Sequence, residues 1–279
     1  MNHLAFILLP AVLGITIAAA PPLSDDLRLT GTMTQGGVVA GTAPADIVSL
    51  RLGEEVLPVD ADGRFVIAFD RDAPTTVQLA AQFADGRTVE KSLTIASRPW
   101  RIERINAPMR PTKSTEAFLA LRRPELAQIA AARRLNTDAR GWRQRFIWPA
   151  MGRISGLFGS QRVYQGQPGA YHGGVDVAGA TGTPVVAPAD GVVILAAAAK
   201  PFTLEGHLLM IDHGHGLNSA FLHLSRIDVK PGDTVTQGQR IGAIGATGRA
   251  TGPHLHWGMK WNGARIDPLL VAGPMPQGR

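Results

Sequence analysis

Cysteine is missing altogether from the 279 residues. That excludes disulfides, a thiolate zinc site and a lipid anchor on a cysteine. Aromatic residues are scarce, at 6% of the chain, and Lys and Arg are dispersed. A stacking platform interleaved with basic residues is therefore lacking, which argues against a nucleic-acid partner. There is no HExxH, so no helix-borne Glu of that motif can serve as general base. Internal repeats and low-complexity tracts are also absent.

What is present suits a turn-rich β protein. The chain is 45% hydrophobic with 32 Gly and 20 Pro, and is long enough for about two domains. Its formal charge of +6 implies affinity for an anionic polymer, and for an exported protein that polymer is the cell wall. Leu4 to Ala20 forms an apolar run ending in three alanines. Residues 1–20 read as a secretory signal peptide, too short for a stable span. Met1-Asn2-His3 carries no Lys or Arg, and cleavage after Ala18 avoids a mature N-terminus at Pro21. Export to the periplasm or cell envelope follows. Membrane attachment follows only if the leader stays uncleaved.

Residues 21–107 read as a small β-sandwich-like domain. Val48, Leu50 and Leu52 alternate, as do Phe65, Ile67 and Phe69, with Asp62-Gly63 and Asp85-Gly86 at turn positions. Residues 108–147 read as a basic helical linker. Pro124-Glu125 marks the helix start, and Leu126, Ile129, Ala130 and Arg133 follow helical spacing. Two readings of its arginines stand: a solvated face, or a contact with anionic glycan or between domains.

Chemistry concentrates in the last half. His172-Gly173-Gly174-Val175-Asp176 and Gly252-Pro253-His254-Leu255-His256 flank His223. On an extended strand, residues two apart share a face, so His254 and His256 point one way, and so do His172 and Asp176. Two imidazoles and a carboxylate suffice for a catalytic zinc site that leaves its fourth position to water. The remaining histidines can carry protons or stabilise an oxyanion. His213-Gly214-His215 has the same spacing as His254 and His256, and spacing alone does not rank the two pairs. Its glycines make it read better as a hairpin turn than as a strand. His207 and His3 read as plain surface and leader residues.

From about Trp148 to Leu270 the sequence resembles the lysostaphin-type (LytM-like) zinc metallopeptidases, the murein endopeptidase family. The resemblance rests on segments in family order. They are Gly152 to Gly159, His172 to Asp176, Gly182 to Val193, Ile211 to Leu217, Phe221 to Ser225, and Gly245 to Trp257. It implies one zinc ion per chain held by His172, Asp176 and His256, with His223 and His254 as catalytic residues that are not ligands. It also implies that His213 and His215 are not ligands. The fold expected is mainly β: an antiparallel-sheet peptidase domain at residues 148–272, preceded by the sandwich-like domain and the linker, with a loose tail at 273–279. The activity implied is hydrolysis of peptide cross-links in peptidoglycan. The D-Ala–diaminopimelate bond of a DD-endopeptidase is the first choice, and a glycyl-glycine bond remains open. The alternative from another class is a catalytically silent wall-binding regulator of another murein hydrolase, and all five residues being present speaks against it.

Overall fold

The computed structural model describes residues 27–109 and 115–276. The leader Leu4 to Ala20 lies outside the described residues. The chain is mainly β, with antiparallel sheets. Among the described residues no helix is long and apolar enough to cross a membrane.

Two small sheets come first. One pairs Arg28–Gly31, Val38–Thr42 and Arg64–Ala68; the other pairs Glu55–Val56, Ile47–Leu52, Thr76–Phe83 and Thr88–Thr94. Val39, Phe65 and Ile67 from the first bury with Leu50, Leu79, Phe83 and Leu93 from the second. The alternation expected from Val48 to Leu52 breaks at its start: Val48 is 63% exposed. Ile47 pairs with Phe83 and Ser49 with Gln82, so Val48 is the extra residue of a bulge, unpaired and turned outward. In Arg64–Ala68 the alternation is hidden for the opposite reason. Val66 and Ala68 are buried as well, because the outer face of this sheet meets the C-terminal region. Val66 lines the crevice there with Trp142, Phe146 and Leu217.

The following strand, Ile102–Ile105, pairs parallel with Gln161–Tyr164, tying this segment to the C-terminal half. The long helix spans Glu116–Ala132, so it starts at Glu116 and not at Pro124. The Oγ1 of Thr115 accepts the N–H of Phe118 and caps the first turn, which makes a start before the proline viable. Pro124 is accommodated inside, leaving the Ala120 carbonyl without its usual donor. Ile129 and Ala132 pack on Ile194, Leu208, Met210 and Ala220, so the helix covers part of one face of the main sheet.

That main sheet runs, in spatial order, Thr234–Val235, Gly191–Ala196, His207–Asp212, Leu217–Leu224, His254–Trp261, Gly174–Ala178 and Ile154–Gly156. Ala264–Ile266 also pairs with His254–Trp261. Its core face presents Val175, Val177, Leu209, Ile211, Phe221, Leu255, Trp257 and Met259, all essentially inaccessible. The Trp257 indole donates to Ser219 Oγ at 3.2 Å and meets Trp148 edge-on. Ser219 also hydrogen-bonds His213 Nε2 at 2.9 Å, and His213 Nδ1 lies 2.8 Å from the Asp190 carbonyl.

His213 carries a stability signature. Burial pushes its imidazole down to about 4, against an ordinary histidine value of about 6.5. The folded chain thus resists a proton that the unfolded chain accepts. This contribution is intact above about pH 6.5 and shrinks as the pH falls towards 4, by on the order of 3 kcal/mol in all. Urea denaturation at pH 7 and pH 4.5 tests it: the native chain should lose about that much more stability than His213→Gln, and equal losses would assign the acid sensitivity elsewhere.

Candidate metal centre

Two neighbouring strands build the centre. Asp176 is the register partner of His256, and the two side chains share the face opposite the core. Parity along His254–Trp261 forces this, because Leu255 and Trp257 are buried and His254 and His256 are therefore turned to the other side. His172 stands just before the paired strand.

The three functional groups converge. His172 Nε2 lies 3.0 Å from Asp176 Oδ1 and 3.0 Å from His256 Nδ1, while His256 Nδ1 lies 2.9 Å from Asp176 Oδ1. The other ring nitrogen of His172, Nδ1, faces the Leu157 carbonyl at 3.1 Å. A carbonyl only accepts, so the proton of neutral His172 resides on Nδ1 and Nε2 presents a lone pair. That lone pair faces a carboxylate oxygen and a second imidazole nitrogen. Three electron donors aimed at one another are a cation's environment, and the nitrogen–oxygen set suits zinc. The group is compatible with one zinc ion. Without a cation, burial pushes His172 down, but the Asp176 carboxylate outweighs it and holds the imidazole above its ordinary value. Burial would raise Asp176, yet His172 and His256 hold it far below the usual carboxylate range. Burial lowers His256.

His223 and His254 stand beside this group with ring centroids 4.8 Å apart. Nδ1 of His223 donates to the Thr247 carbonyl at 2.9 Å, and Nδ1 of His254 to the Gly252 carbonyl at 2.8 Å. Both rings therefore keep Nε2 free as an acceptor. His254 Nε2 is 3.8 Å from Asp176 Oδ1. Burial lowers the His223 imidazole, and His254 and His256 add to the effect. His223 also sits at φ 63°, a left-handed conformation that costs a non-glycine residue about 1 kcal/mol or more. Its backbone N–H is held by the Glu205 carbonyl, and the Glu205 carboxylate takes both arms of Arg122 at 2.6 Å each. The long helix thus braces the segment that holds His223.

All five residues singled out from the sequence lie in this one region. His213 and His215 do not: one is in the core, and the other reaches Asp60 Oδ1 at 2.9 Å. His207 is part-buried, with Nδ1 on the Ala197 carbonyl. Sequence reasoning missed the orienting partners, which are the carbonyls of Leu157, Thr247 and Gly252. The Arg122–Glu205 pair was visible only as two charged residues far apart in the chain.

The family model for peptidase family M23 matches residues 170–268, which include both motifs. This segment is a peptidase M23 domain. The peptidoglycan DD-endopeptidase ShyA of Vibrio cholerae is 38% identical over 133 residues, 47% of this chain and 30% of that protein. The DD-carboxypeptidase/endopeptidase Mpg of Neisseria meningitidis is 41% identical over 106 residues, 38% of this chain and 24% of that protein. The chain thus spans less than a third of the length of these curated relatives. A crystal structure from Pseudomonas aeruginosa assigned to peptidase M23 superposes with a TM-score of 0.65 at 29% identity, covering 88% of this chain and 96% of that one. The likeness to that structure therefore extends well beyond the M23 domain.

Gly156 offers a test of the M23 centre. A Cβ there would collide with Asp176 Oδ2 and approach His172 Cε1 to 3.0 Å. Gly156→Ala should weaken zinc affinity about 10- to 100-fold, the range seen when the groups supporting metal ligands are disturbed. Competition with a chromogenic chelator measures it, and unchanged affinity would show that the neighbouring strand does not set the ligand geometry.

Proposed function

We propose that the chain is an exported zinc metalloendopeptidase that hydrolyses peptide cross-links of peptidoglycan, with the D-Ala–diaminopimelate bond as its substrate. One observation carries the reading. Two imidazoles with free Nε2 atoms stand next to a convergent His–Asp–His donor set. The names of the curated relatives, DD-endopeptidase among them, support the choice of bond. The apolar run before residue 21 and the basic balance of the chain support export towards an anionic wall.

In this reading His172, Asp176 and His256 hold the metal. A zinc ion there supplies Lewis acidity, polarising a carbonyl and making water more acidic. His223 and His254 divide the proton work. One accepts the proton of the attacking water on Nε2; the other, protonated, donates from Nε2 to the oxyanion or the departing amine. Their Nδ1–H groups are anchored on carbonyls, so each ring is fixed in orientation before substrate arrives. The fixed tautomer also keeps the working nitrogen the same throughout the cycle.

Purified full chain with its zinc content measured, incubated with intact sacculi, tests the proposal. Cross-linked muropeptide dimers should disappear, and a chelator or His256→Ala should prevent this. His223→Ala and His254→Ala should retain zinc and lose about 10²- to 10⁴-fold in rate. Unchanged muropeptides with zinc bound would overturn the enzymatic reading in favour of a wall-binding regulator.

A further inference from the structure

The metal centre opens onto a groove of about 280 Å³ between the main sheet and the long helix. Strand register describes its floor. Gly174, Gly258 and Ala220 are aligned across three adjacent strands, one step along from the row containing Asp176, His256 and Leu222. These small side chains leave a trough. At Gly174 an added Cβ would collide with the Trp257 carbonyl and come within 2.8 Å of His256 Nε2.

The far end of the trough is cationic. Lys260 lies on the same face as His256, four residues and about 13 Å along the strand. Arg265 is its register partner on the next strand, and Arg133 reaches in from the C-terminal end of the helix. Arg265 lies over Gly173, the residue after His172, where a Cβ would be 3.2 Å from its Cδ. Its guanidinium is positioned by the Tyr171 hydroxyl at 3.2 Å. Among the described residues, none of the three is ion-paired with a carboxylate. Two acids stand nearby: Glu205 is clasped by Arg122, and Asp70 accepts the backbone N–H of Arg265 and the Tyr171 hydroxyl and partly offsets the charge on Lys260. Burial, then the charges of Arg133 and Arg265, push the Lys260 ammonium down to about 8. Four cations, Arg122, Arg133, Lys260 and Arg265, thus outnumber the two acids beside them, Glu205 and Asp70, and an anion seated among them relieves the remaining repulsion.

We propose that Lys260, Arg265 and Arg133 form a subsite for a free carboxylate on the peptide substrate, a few residues from the bond placed at the metal centre. This rests on the peptidase reading for the location of the scissile bond. An extended peptide rises about 3.3 Å per residue, so a chain lying in the trough would bring a carboxylate two to four residues away within reach of the Lys260 and Arg265 side chains. Murein stem peptides carry such groups on glutamate and diaminopimelate. The subsite would make free-acid stems better substrates than amidated ones.

A stem peptide with free glutamate and diaminopimelate carboxylates, and its fully amidated counterpart, are titrated by calorimetry into the chelator-treated full chain. The free acid should bind at least about tenfold tighter than the amide. Lys260→Met and Arg265→Gln should bring that ratio close to one, whereas Lys200→Met, an exposed charge outside the groove, should leave it intact. Arg133→Gln, at the exposed helix end, serves if the strand variants do not fold. Equal binding of the two peptides, no measurable binding of the free acid, or an equal effect of Lys200→Met would overturn the proposal. The same pair as cross-linked substrates separates the two readings. Cleavage with equal KM for acid and amide removes the subsite and keeps the peptidase. A retained binding preference without any cleavage removes the peptidase and keeps an anion-reading groove.

Discussion

The antiparallel register between Gly174–Ala178 and His254–Trp261 is the constraint on which the centre depends. It sets Asp176 opposite His256, and with them the position that His172 must approach. A slip of one residue would drive a carboxylate or an imidazole into the core and turn Val177 or Leu255 outward. Burying each large apolar side chain contributes about 1.5 to 3 kcal/mol, and an unpaired buried carboxylate costs more. The register is therefore specified by Val175, Val177, Leu255, Trp257 and Met259 on the far side of the same strands. The chemistry sits on one face because packing is satisfied on the other.

This explains which features could be read from the chain. Alternation is local, so the shared face of His254 and His256, and that of His172 and Asp176, followed from spacing. That the two pairs meet is a matter of long-range pairing, which the motif resemblance supplied and local pattern did not. The partners that fix the rings were invisible for a different reason. Every residue carries a carbonyl, so nothing in the identity of Leu157, Thr247 or Gly252 marks it as an orienting group. Val48 misled because a bulge adds a residue without altering composition. Pro124 misled because proline favours a first turn, while Thr115 was already capping an earlier one.

The basic stretch before the metal domain resolves residue by residue. Arg122 clasps Glu205 and so supports the backbone of His223, and Arg143 meets Asp60 and Asp62 of the first β region. Arg98 likewise reaches Asp267, whose carboxylate caps the short helix Pro268–Ala272. Partly exposed pairs of this kind contribute modestly to stability, so their consequence is geometric. They fix where the first β region and the helix stand relative to the sheet. Arg123, Arg134, Arg140 and Arg145 are exposed, and to these residues of the stretch a solvated reading still applies.

The two HxH motifs show how backbone conformation decides what identical residues can do. In His254-Leu255-His256 the chain is extended, so both imidazoles emerge on one face, with Leu255 buried between them. In His213-Gly214-His215 the glycine has φ 91° and His215 φ 51°, and parity no longer holds. The first imidazole turns inward to Ser219 and the second outward, stacked on Trp142 at 4.2 Å. With their donors on separate partners, they have no common point at which a cation could sit. The burial that keeps His213 neutral serves the core, whereas at His256 it keeps a neutral imidazole whose Nδ1 faces His172 Nε2 and the Asp176 carboxylate. The same residue pair is structural in a turn and metal-competent on a strand, and the glycine between the first pair is what separates the two outcomes.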